Sequence, residues 1–319
     1  MKKFLFLSIA ATAMLASCTK DEMVEVNPQN AIGFETFVNK STRVTDVTTT
    51  NLEAFWVYGW RTKETTTEQI FKAQAVTANN GTCTYSPLQY WVGGYNYTFE
   101  AIAPQSDNNS VTFNAANGAS TITFVSDSET DLIYATGSKN LTSTTNLTKT
   151  PEAVGLVFNH LLSRVKFSFV NGFPANSDVK LTVTDVKIND AVTTAICTPS
   201  TKTWKAATAS GVVNFASTAV ANIPGEQSAE TEHKYLIPAD IKAYTVTFTV
   251  VMTQGGVSDT FNHTVTLSTD DALELEAGKS YDLTATLDAQ NINPDGDLFP
   301  IVFTATVTPW GSFNKVTIP

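Results

Sequence analysis

The sequence predicts an all-β protein made of many short strands in antiparallel sheets. Apolar side chains recur at every second position through most of the 319 residues, which is the period of a strand with one buried face. Paired glycines, such as Gly255 and Gly256, separate strand-like runs and suit tight hairpin turns. No long segment carries the apolar repeat of an amphipathic helix. Sandwiches of two packed sheets are the simplest architecture for such a chain.

The alternation can be followed from one end of the chain to the other. The clearest runs are Ala31–Val38, Tyr95–Ala101, Val165–Phe169, Tyr244–Val250, Phe261–Leu267, Tyr281–Leu287 and Ile301–Val307. In the first run, Ile32, Phe34 and Val38 share one face. In the last run, the corresponding face carries Ile301, Phe303, Ala305 and Val307. We therefore expect the first and last runs to be strands with one apolar face each.

Two polar stretches divide the chain. Residues 137–152 (GSKNLTSTTNLTKTPE) are rich in threonine and nearly free of apolar side chains, and residues 288–297 (DAQNINPDGD) precede the final strand. We therefore expect an N-terminal β-sandwich domain over residues 31–148 and a C-terminal β-sandwich domain over residues 149–290. Residues 291–319 are predicted to form a linker and a C-terminal strand.

Motifs that would carry chemistry are missing from the sequence. It has no nucleophile elbow, P-loop, dinucleotide fingerprint or zinc-ligand spacing. His160 and His263 lie in apolar strand-like runs, where a packed histidine is expected. A formal net charge of −10 without a basic patch argues against nucleic acid as a partner. We predict no catalytic residue, no metal site and no cofactor, and leave open whether Cys83 and Cys197 form a disulfide.

The N-terminus carries a targeting signal. Two lysines precede an apolar stretch from Phe4 to Leu15, and LASC then ends at Cys18. This arrangement resembles the lipobox of bacterial lipoproteins, which implies that residues 1–17 are a signal peptide and that Cys18 is acylated. Residues 18–30 would then tether the protein to outer-membrane lipid, with several acyl chains giving stable anchoring. An ordinary signal peptide that happens to contain a cysteine is the alternative.

Four stretches together resemble the fimbrillin family, the type V pilus subunits of Bacteroidia. They are YWVGGYNYTFEAIAP, DLIYATG followed by VGLVFNHLLSRVKFSF, LEAGKSYDLTATL and ATVTPWG, and they occur in family order. The resemblance implies two transthyretin-like β-sandwich domains followed by a C-terminal donor-type strand. It also implies a structural fimbrial subunit that supports adhesion, and not an enzyme.

The family assembles by exchange of strands, and the resemblance assigns the parts. A lipidated precursor reaches the cell surface, where a trypsin-like, arginine-specific protease cuts in the loop after the first strand; Arg43 matches that position. The displaced strand would carry Ile32, Phe34 and Val38. A neighbouring subunit would fill the opened groove with its segment Ile301–Thr308. The implied partners are other pilin subunits, both copies of this chain and minor pilins, with a host or bacterial surface ligand beyond them.

Three other interpretations stay open at this point. Arg43 is also compatible with an ordinary solvated arginine. A tip or anchor component of a pilus would keep one terminal strand folded in its own domain. A surface glycan-binding lipoprotein would also be lipidated and all-β, and would present some of its five tryptophans as an exposed platform.

Overall fold

A computed structural model describes most of the chain after the predicted tether. The described residues are 30–38, 47–105, 111–143, 147, 149–205, 209–215, 218–219, 227–238, 243–268, 274–294 and 300–310. They form β-strands and, within these ranges, no α-helix, which confirms the predicted all-β class. Within the same ranges, no helix is long and apolar enough to cross a membrane.

The strands are numbered in chain order. The first ten are β1 (Phe34–Val38), β2 (Ala54–Lys63), β3 (Thr66–Asn79), β4 (Thr82–Thr84), β5 (Asn96–Ala103), β6 (Val111–Asn114), β7 (Thr121–Val125), β8 (Ile133–Asn140), β9 (Val154–His160) and β10 (Ser163–Asn171). The next ten are β11 (Lys180–Thr198), β12 (Thr203–Trp204), β13 (Ala209–Asn214), β14 (Thr218–Ala219), β15 (Gln227–Glu230), β16 (Lys234–Leu236), β17 (Ala243–Gln254), β18 (Val257–Ser268), β19 (Lys279–Leu287) and β20 (Phe303–Pro309).

The N-terminal part of the chain closes into a barrel. Its strands follow the order β1-β4-β3-β2-β5-β8-β9, and β1 completes the ring by pairing with both β4 and β9. The pairing of β1 with β9 is parallel, with Phe34 opposite Val154 and Val38 opposite Phe158, whereas its pairing with β4 is antiparallel. The first strand therefore joins the two ends of this sheet and closes the ring of strands.

Two sheets pack face to face in the C-terminal part. One has the order β15-β10-β19-β20 with β16 also paired to β10, and the other has the order β18-β17-β11-β7-β6 with β12, β13 and β14 also paired to β11. Phe167 and Phe169 from the first sheet share one core with Val183, Ile188 and Phe248 from the second. Gly255 and Gly256, with φ of 57° and 83°, form the predicted hairpin turn between β17 and β18.

The strand pairings do not follow the linear order of the chain. The hairpin β6–β7 comes between two barrel strands, yet it extends the sheet of β11, with Phe124 opposite Ala195. After residue 148, the chain contributes one more barrel strand, β9, and the pairing changes to the C-terminal sheets between His160 and Ser163. The division at residues 148 and 149 therefore stays a prediction about folding units and does not coincide with this change of sheet.

One strand is buried more completely than its alternation predicts. Val165, Phe167 and Phe169 of β10 face the core, but Lys166 is only 3% exposed and Ser168 is also buried. The expectation of a half-buried strand was wrong here because β10 is central in its sheet and its outward charges are paired. The ammonium group of Lys166 lies 3.1 Å from a carboxylate oxygen of Asp282, and a second acidic residue completes the group.

Candidate functional site

The first strand of the barrel inserts one whole face into the core. Ile32, Phe34, Thr36 and Val38 are all buried, whereas Glu35 and Phe37 point to solvent. The apolar residues of the predicted displaced strand therefore lie where the alternation of the sequence predicts a buried face.

Phe34 lies in a pocket of aromatic rings. Its ring centroid is 5.4 Å from that of Phe99, 5.5 Å from that of Phe71 and 5.8 Å from that of Tyr85. The two phenylalanine contacts are edge-on, which is a favourable arrangement of aromatic quadrupoles. The pocket would be empty if the first strand left.

Hydrogen bonds hold the first strand along both of its edges. On one edge, the amide of Val154 donates to the carbonyl of Gly33 at 2.8 Å. On the other edge, the amide of Thr36 donates to the carbonyl of Gly81 at 3.0 Å, and the hydroxyl of Tyr85 donates to the carbonyl of Ile32 at 2.7 Å. Removal of this strand would leave two rows of backbone groups unpaired.

A cysteine lies beside the first strand. Cys83 of β4 is half-buried, and burial raises the pKa of its thiol to about 11. Cys197 of β11 is fully buried, and burial raises its pKa to about 12. Both cysteines are free, so no disulfide joins them.

The last strand lies at the edge of a C-terminal sheet. It pairs with β19 alone, antiparallel, from Lys279 opposite Pro309 to Ala285 opposite Phe303. Its other edge has no strand partner in the described part of the chain. The segment predicted as the donor strand is thus folded against its own domain in this structure.

The inward face of the last strand is only partly buried. Phe303 lies among three rings, with centroids 5.4 Å from Phe167, 5.9 Å from Phe169 and 6.0 Å from Phe248. Further along the strand, Val307 remains 44% exposed, and the side chains of Ile301 and Ala305 are buried and half-buried, respectively. The inward side chains that follow Phe303 within the strand are therefore less buried than Phe303 itself.

Trp310, immediately after β20, is the residue that the sequence reasoning missed. Its ring is buried and stacks on His160 at 4.3 Å and on Tyr235 at 5.5 Å, while the guanidinium of Arg164 lies 5.3 Å from it. Its amide donates to the carbonyl of Gly278 at 2.8 Å. Because His160 belongs to a barrel strand and Tyr235 to the C-terminal part, Trp310 joins the two parts of the molecule. Its place in the closing ATVTPWG stretch was the available signal.

The predicted histidines are packed residues in the structure. His160 is buried with its Nδ1 atom 2.7 Å from a carboxylate oxygen of Asp131, and His263 is buried against Phe248. Burial lowers the pKa of His263 below its ordinary value, and a hydrogen bond with the backbone of Ile292 opposes this effect. In the described part of the chain, no three acidic, histidine or cysteine side chains are grouped to hold a metal ion.

The tryptophans do not form an exposed platform. Trp60, Trp91, Trp204 and Trp310 are buried, and Trp56 is half-buried. A sugar ring would need an accessible aromatic face, so this arrangement gives the glycan-binding interpretation no support.

Two predicted site residues lie outside the described residues. These are Cys18, the predicted lipid attachment site, and Arg43, the predicted cleavage site. Their roles stay predictions.

Comparison with known proteins identifies relatives of this arrangement. The model of the fimbrillin-like family matches residues 42–310. A curated relative, the fimbrium subunit Fim1C of Phocaeicola vulgatus, is 27% identical over 235 residues, which cover 63% of this chain and 61% of the relative. The chain thus spans about three fifths of the length of that curated relative.

One solved structure shares the fold at low sequence identity. A candidate cell adhesion protein from Bacteroides ovatus aligns with a TM-score of 0.54 and 13% identity, covering 90% of this chain and 100% of the other. Another candidate cell adhesion protein, from Bacteroides uniformis, aligns with a TM-score of 0.49 and 17% identity, covering 89% and 99% of the two chains.

Proposed function

The chain belongs to the fimbrillin-like family, and on that premise we propose that it is a fimbrial shaft subunit that assembles by strand exchange and supports adhesion. The family is one of cell-surface fimbrial proteins and is structural, not enzymatic. The finer architecture that we propose is a pair of transthyretin-like domains with a C-terminal donor strand.

One observation carries the proposal: a short strand closes the barrel by itself. The first strand is only five residues long, from Phe34 to Val38, yet it pairs on both edges and fills the aromatic pocket. Its loss would expose an apolar groove lined with unpaired backbone groups, which is unstable in water. A strand from a neighbouring copy would restore both the ladder bonds and the packing.

The remaining steps follow from the ends of the chain. Acylation of Cys18 would hold the precursor in the outer membrane, facing the cell surface. A trypsin-like protease would then cut after Arg43, which follows the first strand closely enough for the cut to free it. Each copy then has one groove and one donor segment, Ile301–Thr308, so contacts run head to tail and propagate as a filament. Minor pilins would end or anchor the filament, and a surface ligand would be bound by the finished fimbrium.

The test uses a thiol reagent that reacts with Cys83 to report whether the first strand has left the barrel. The full chain, purified from membranes in detergent, is treated with trypsin-like protease and examined by electron microscopy, while the labelling of Cys83 is measured. We expect Cys83 to react faster once the first strand leaves, because its pKa falls back toward 9, and to be protected again within filaments. Cys197, buried in another part of the molecule, is the internal control.

An Arg43→Ala variant supplies the matched control. It should remain monomeric with slowly reacting Cys83 under the same protease treatment. Filaments formed by this variant at the rate of the parent chain would contradict cleavage after Arg43. Complete cleavage of the parent chain without filaments would contradict the shaft role.

A terminal position in the fimbrium is the second candidate, and Trp310 favours it. The last strand can leave its domain only if Trp310 also leaves its stack between His160 and Tyr235. A subunit that keeps this strand would accept a neighbour but donate none, as a tip or anchor component does. In the same experiment, such a subunit would bind a donor peptide of sequence IVFTATVT after cleavage without forming filaments.

A further inference from the structure

Two segments at opposite ends of the chain carry nearly the same inward side chains. Residues 32–38 read IGFETFV, and residues 301–307 read IVFTATV. At the four alternate positions the two segments have isoleucine, phenylalanine, a small side chain and valine, in that order. Only the third of these positions differs, with Thr36 in the first segment and Ala305 in the second.

We propose that residues 301–307 of one copy replace residues 32–38 of the next copy in register, with Ile301 in the place of Ile32 and Val307 in the place of Val38. The inserted segment runs parallel to β9, as the first strand does, because only this direction matches the two segments residue by residue. This inference rests on the proposed function and specifies the partner segment, its direction and its register.

The phenylalanine at the second position exchanges one aromatic pocket for another. Phe303 now lies among three rings at 5.4–6.0 Å, and Phe34 lies among three rings at 5.4–5.8 Å. Because the two pockets are alike in their ring contacts, the transfer of this side chain costs little packing.

The valine at the fourth position gains burial. Val307 is 44% exposed in its own domain, whereas Val38 in the barrel is 5% exposed. Removal of this apolar surface from water favours the inserted state over the folded-back one. The half-buried Ala305 gains in the same way, because Thr36 at the matching position is fully buried.

The one inward position at which the two segments differ, Thr36 against Ala305, also favours replacement of the first strand by the donor segment. The hydroxyl of Thr36 is buried, and the polar group beside it is the thiol of Cys83, which is a weak hydrogen-bonding group and compensates the hydroxyl poorly. Ala305 at this position brings no hydroxyl, so the donor segment avoids a desolvation cost that the original strand bears.

The outward positions accept the replacement. The place of Gly33 would be taken by Val302, and a Cβ added at Gly33 would meet the Cβ of Ala153 at 3.4 Å, an ordinary contact. Glu35 and Phe37 are exposed, so the threonines that would take their places, Thr304 and Thr306, would lie in solvent. The backbone position of Gly33 therefore accepts a Cβ, and the places of Glu35 and Phe37 are open to solvent.

Disulfide trapping tests the register. In the first strand Phe37 lies opposite Val157 of β9, and both side chains are exposed. In-register insertion places Thr306 opposite Val157, so a Thr306→Cys, Val157→Cys chain should form a ladder of disulfide-linked copies after cleavage. Thr304→Cys and Thr308→Cys, each with Val157→Cys, report registers displaced by two residues. We expect on the order of tenfold less cross-linking from these pairs, because such a shift exceeds the reach of a disulfide.

The outcomes separate this inference from the proposed function. Filaments whose strongest cross-link comes from a displaced pair would overturn the register and leave strand exchange standing. Absence of both filaments and cross-links in every variant would overturn strand exchange, and the register with it. Single-cysteine variants show the background from Cys83 and Cys197.

A second variant tests the mismatch without new cysteines. Ala305→Thr would carry the buried hydroxyl into the groove and should weaken the contact between copies about tenfold, as a poorly compensated buried hydroxyl does. Thr304→Ala, a change of similar size at an outward position, is the matched control and should leave assembly unchanged. Equal assembly by the two variants would overturn the inward placement of Ala305.

Discussion

The first and last strands of this protein are seated in similar pockets but between different neighbours. Each inserts a phenylalanine among three aromatic rings. The first strand lies between β4 and β9 and closes a barrel, whereas the last strand lies at the edge of its sheet and, among the described strands, pairs only with β19. When the last strand leaves, β19 becomes the new edge and the sheet still has an edge of the same kind. When the first strand leaves, a closed barrel acquires two open edges.

The burial of a side chain therefore does not by itself determine the free-energy cost of removing a strand from its sheet. Both phenylalanines are well buried, but the number of hydrogen-bonded edges differs between the two strands. In the proposed strand exchange, the first strand would therefore stay in place until a cut frees it. In the same proposal the last strand would leave its sheet, and the stack of Trp310 on His160 and Tyr235 is one of the contacts that oppose this movement.

The largest expected effect comes from truncating the two phenylalanines. Phe34→Ala should destabilise the barrel by about 4 kcal/mol, because a closed, aromatic-lined pocket cannot collapse around the cavity. Phe303→Ala should cost less, about 2–3 kcal/mol, because the edge strand can shift to fill part of the gap. The free energy of unfolding of each variant is measured in urea. Hydrogen exchange of peptides from β1 and from β19 then shows whether the loss lies in the barrel or in the C-terminal part.

The opposite order of the two stability losses would contradict this comparison of the first and last strands. A larger loss from Phe303→Ala would mean that the last strand is the more firmly seated of the two. Phe37→Ala, at an exposed position of the first strand, controls for effects that do not involve the pocket.

Much of each strand could be predicted from alternation alone. Ile32, Phe34 and Val38 are buried, as predicted, and so is His263 on the apolar phase of its strand. The all-β class and the fimbrillin family were also predicted correctly. These features depend on local period and on short sequence patterns, which a single sequence displays.

The partners of the strands could not be predicted, because alternation says which face is buried and not what covers it. Nothing in the residues of β6 and β7 indicates that they extend a sheet from the other part of the chain. The sequence pattern predicts that Lys166 faces solvent. Its partner Asp282 lies more than one hundred positions away, and only the fold brings the two side chains together. Trp310 is similar, since a tryptophan near the end of a strand gives no sign that it fills a junction.

A smaller effect is expected at that junction. Trp310→Ala should destabilise the contact between the barrel and the C-terminal part by about 3 kcal/mol, at the low end for a buried tryptophan. The lower value reflects the indole N–H, which is buried without a partner in the described part of the chain, so its removal relieves a cost. Limited proteolysis should show faster cleavage near β20, and hydrogen exchange should rise in β19 and not in β1.

Trp310→Phe is the matched variant for this prediction. It retains a ring to stack on His160 and Tyr235 and should restore most of the protection. If Trp310→Ala left exchange in β19 unchanged, Trp310 would not oppose the movement of the last strand, and the tip or anchor interpretation would lose its main support.

The smallest expected effect is a pH dependence of stability, which we expect for the pocket around Phe303 and not for the pocket around Phe34. His263 stacks on Phe248, one of the three rings around Phe303, at a centroid distance of 5.0 Å. Burial lowers its pKa below the ordinary value of 6.5, so the unfolded chain binds a proton more readily than the folded one. Stability from this group is therefore complete above pH 6.5 and falls as the pH drops through 6.5 toward the lower pKa of the folded state.

The rings around Phe34, by contrast, are two phenylalanines and a tyrosine whose pKa is raised by burial, and none of them titrates in this range. Hydrogen exchange between pH 7 and pH 5, corrected for the intrinsic rate, should show loss of protection in β18 and β20 but not in β1. A His263→Gln variant should abolish this acid response, and an unchanged response in that variant would assign it to another group.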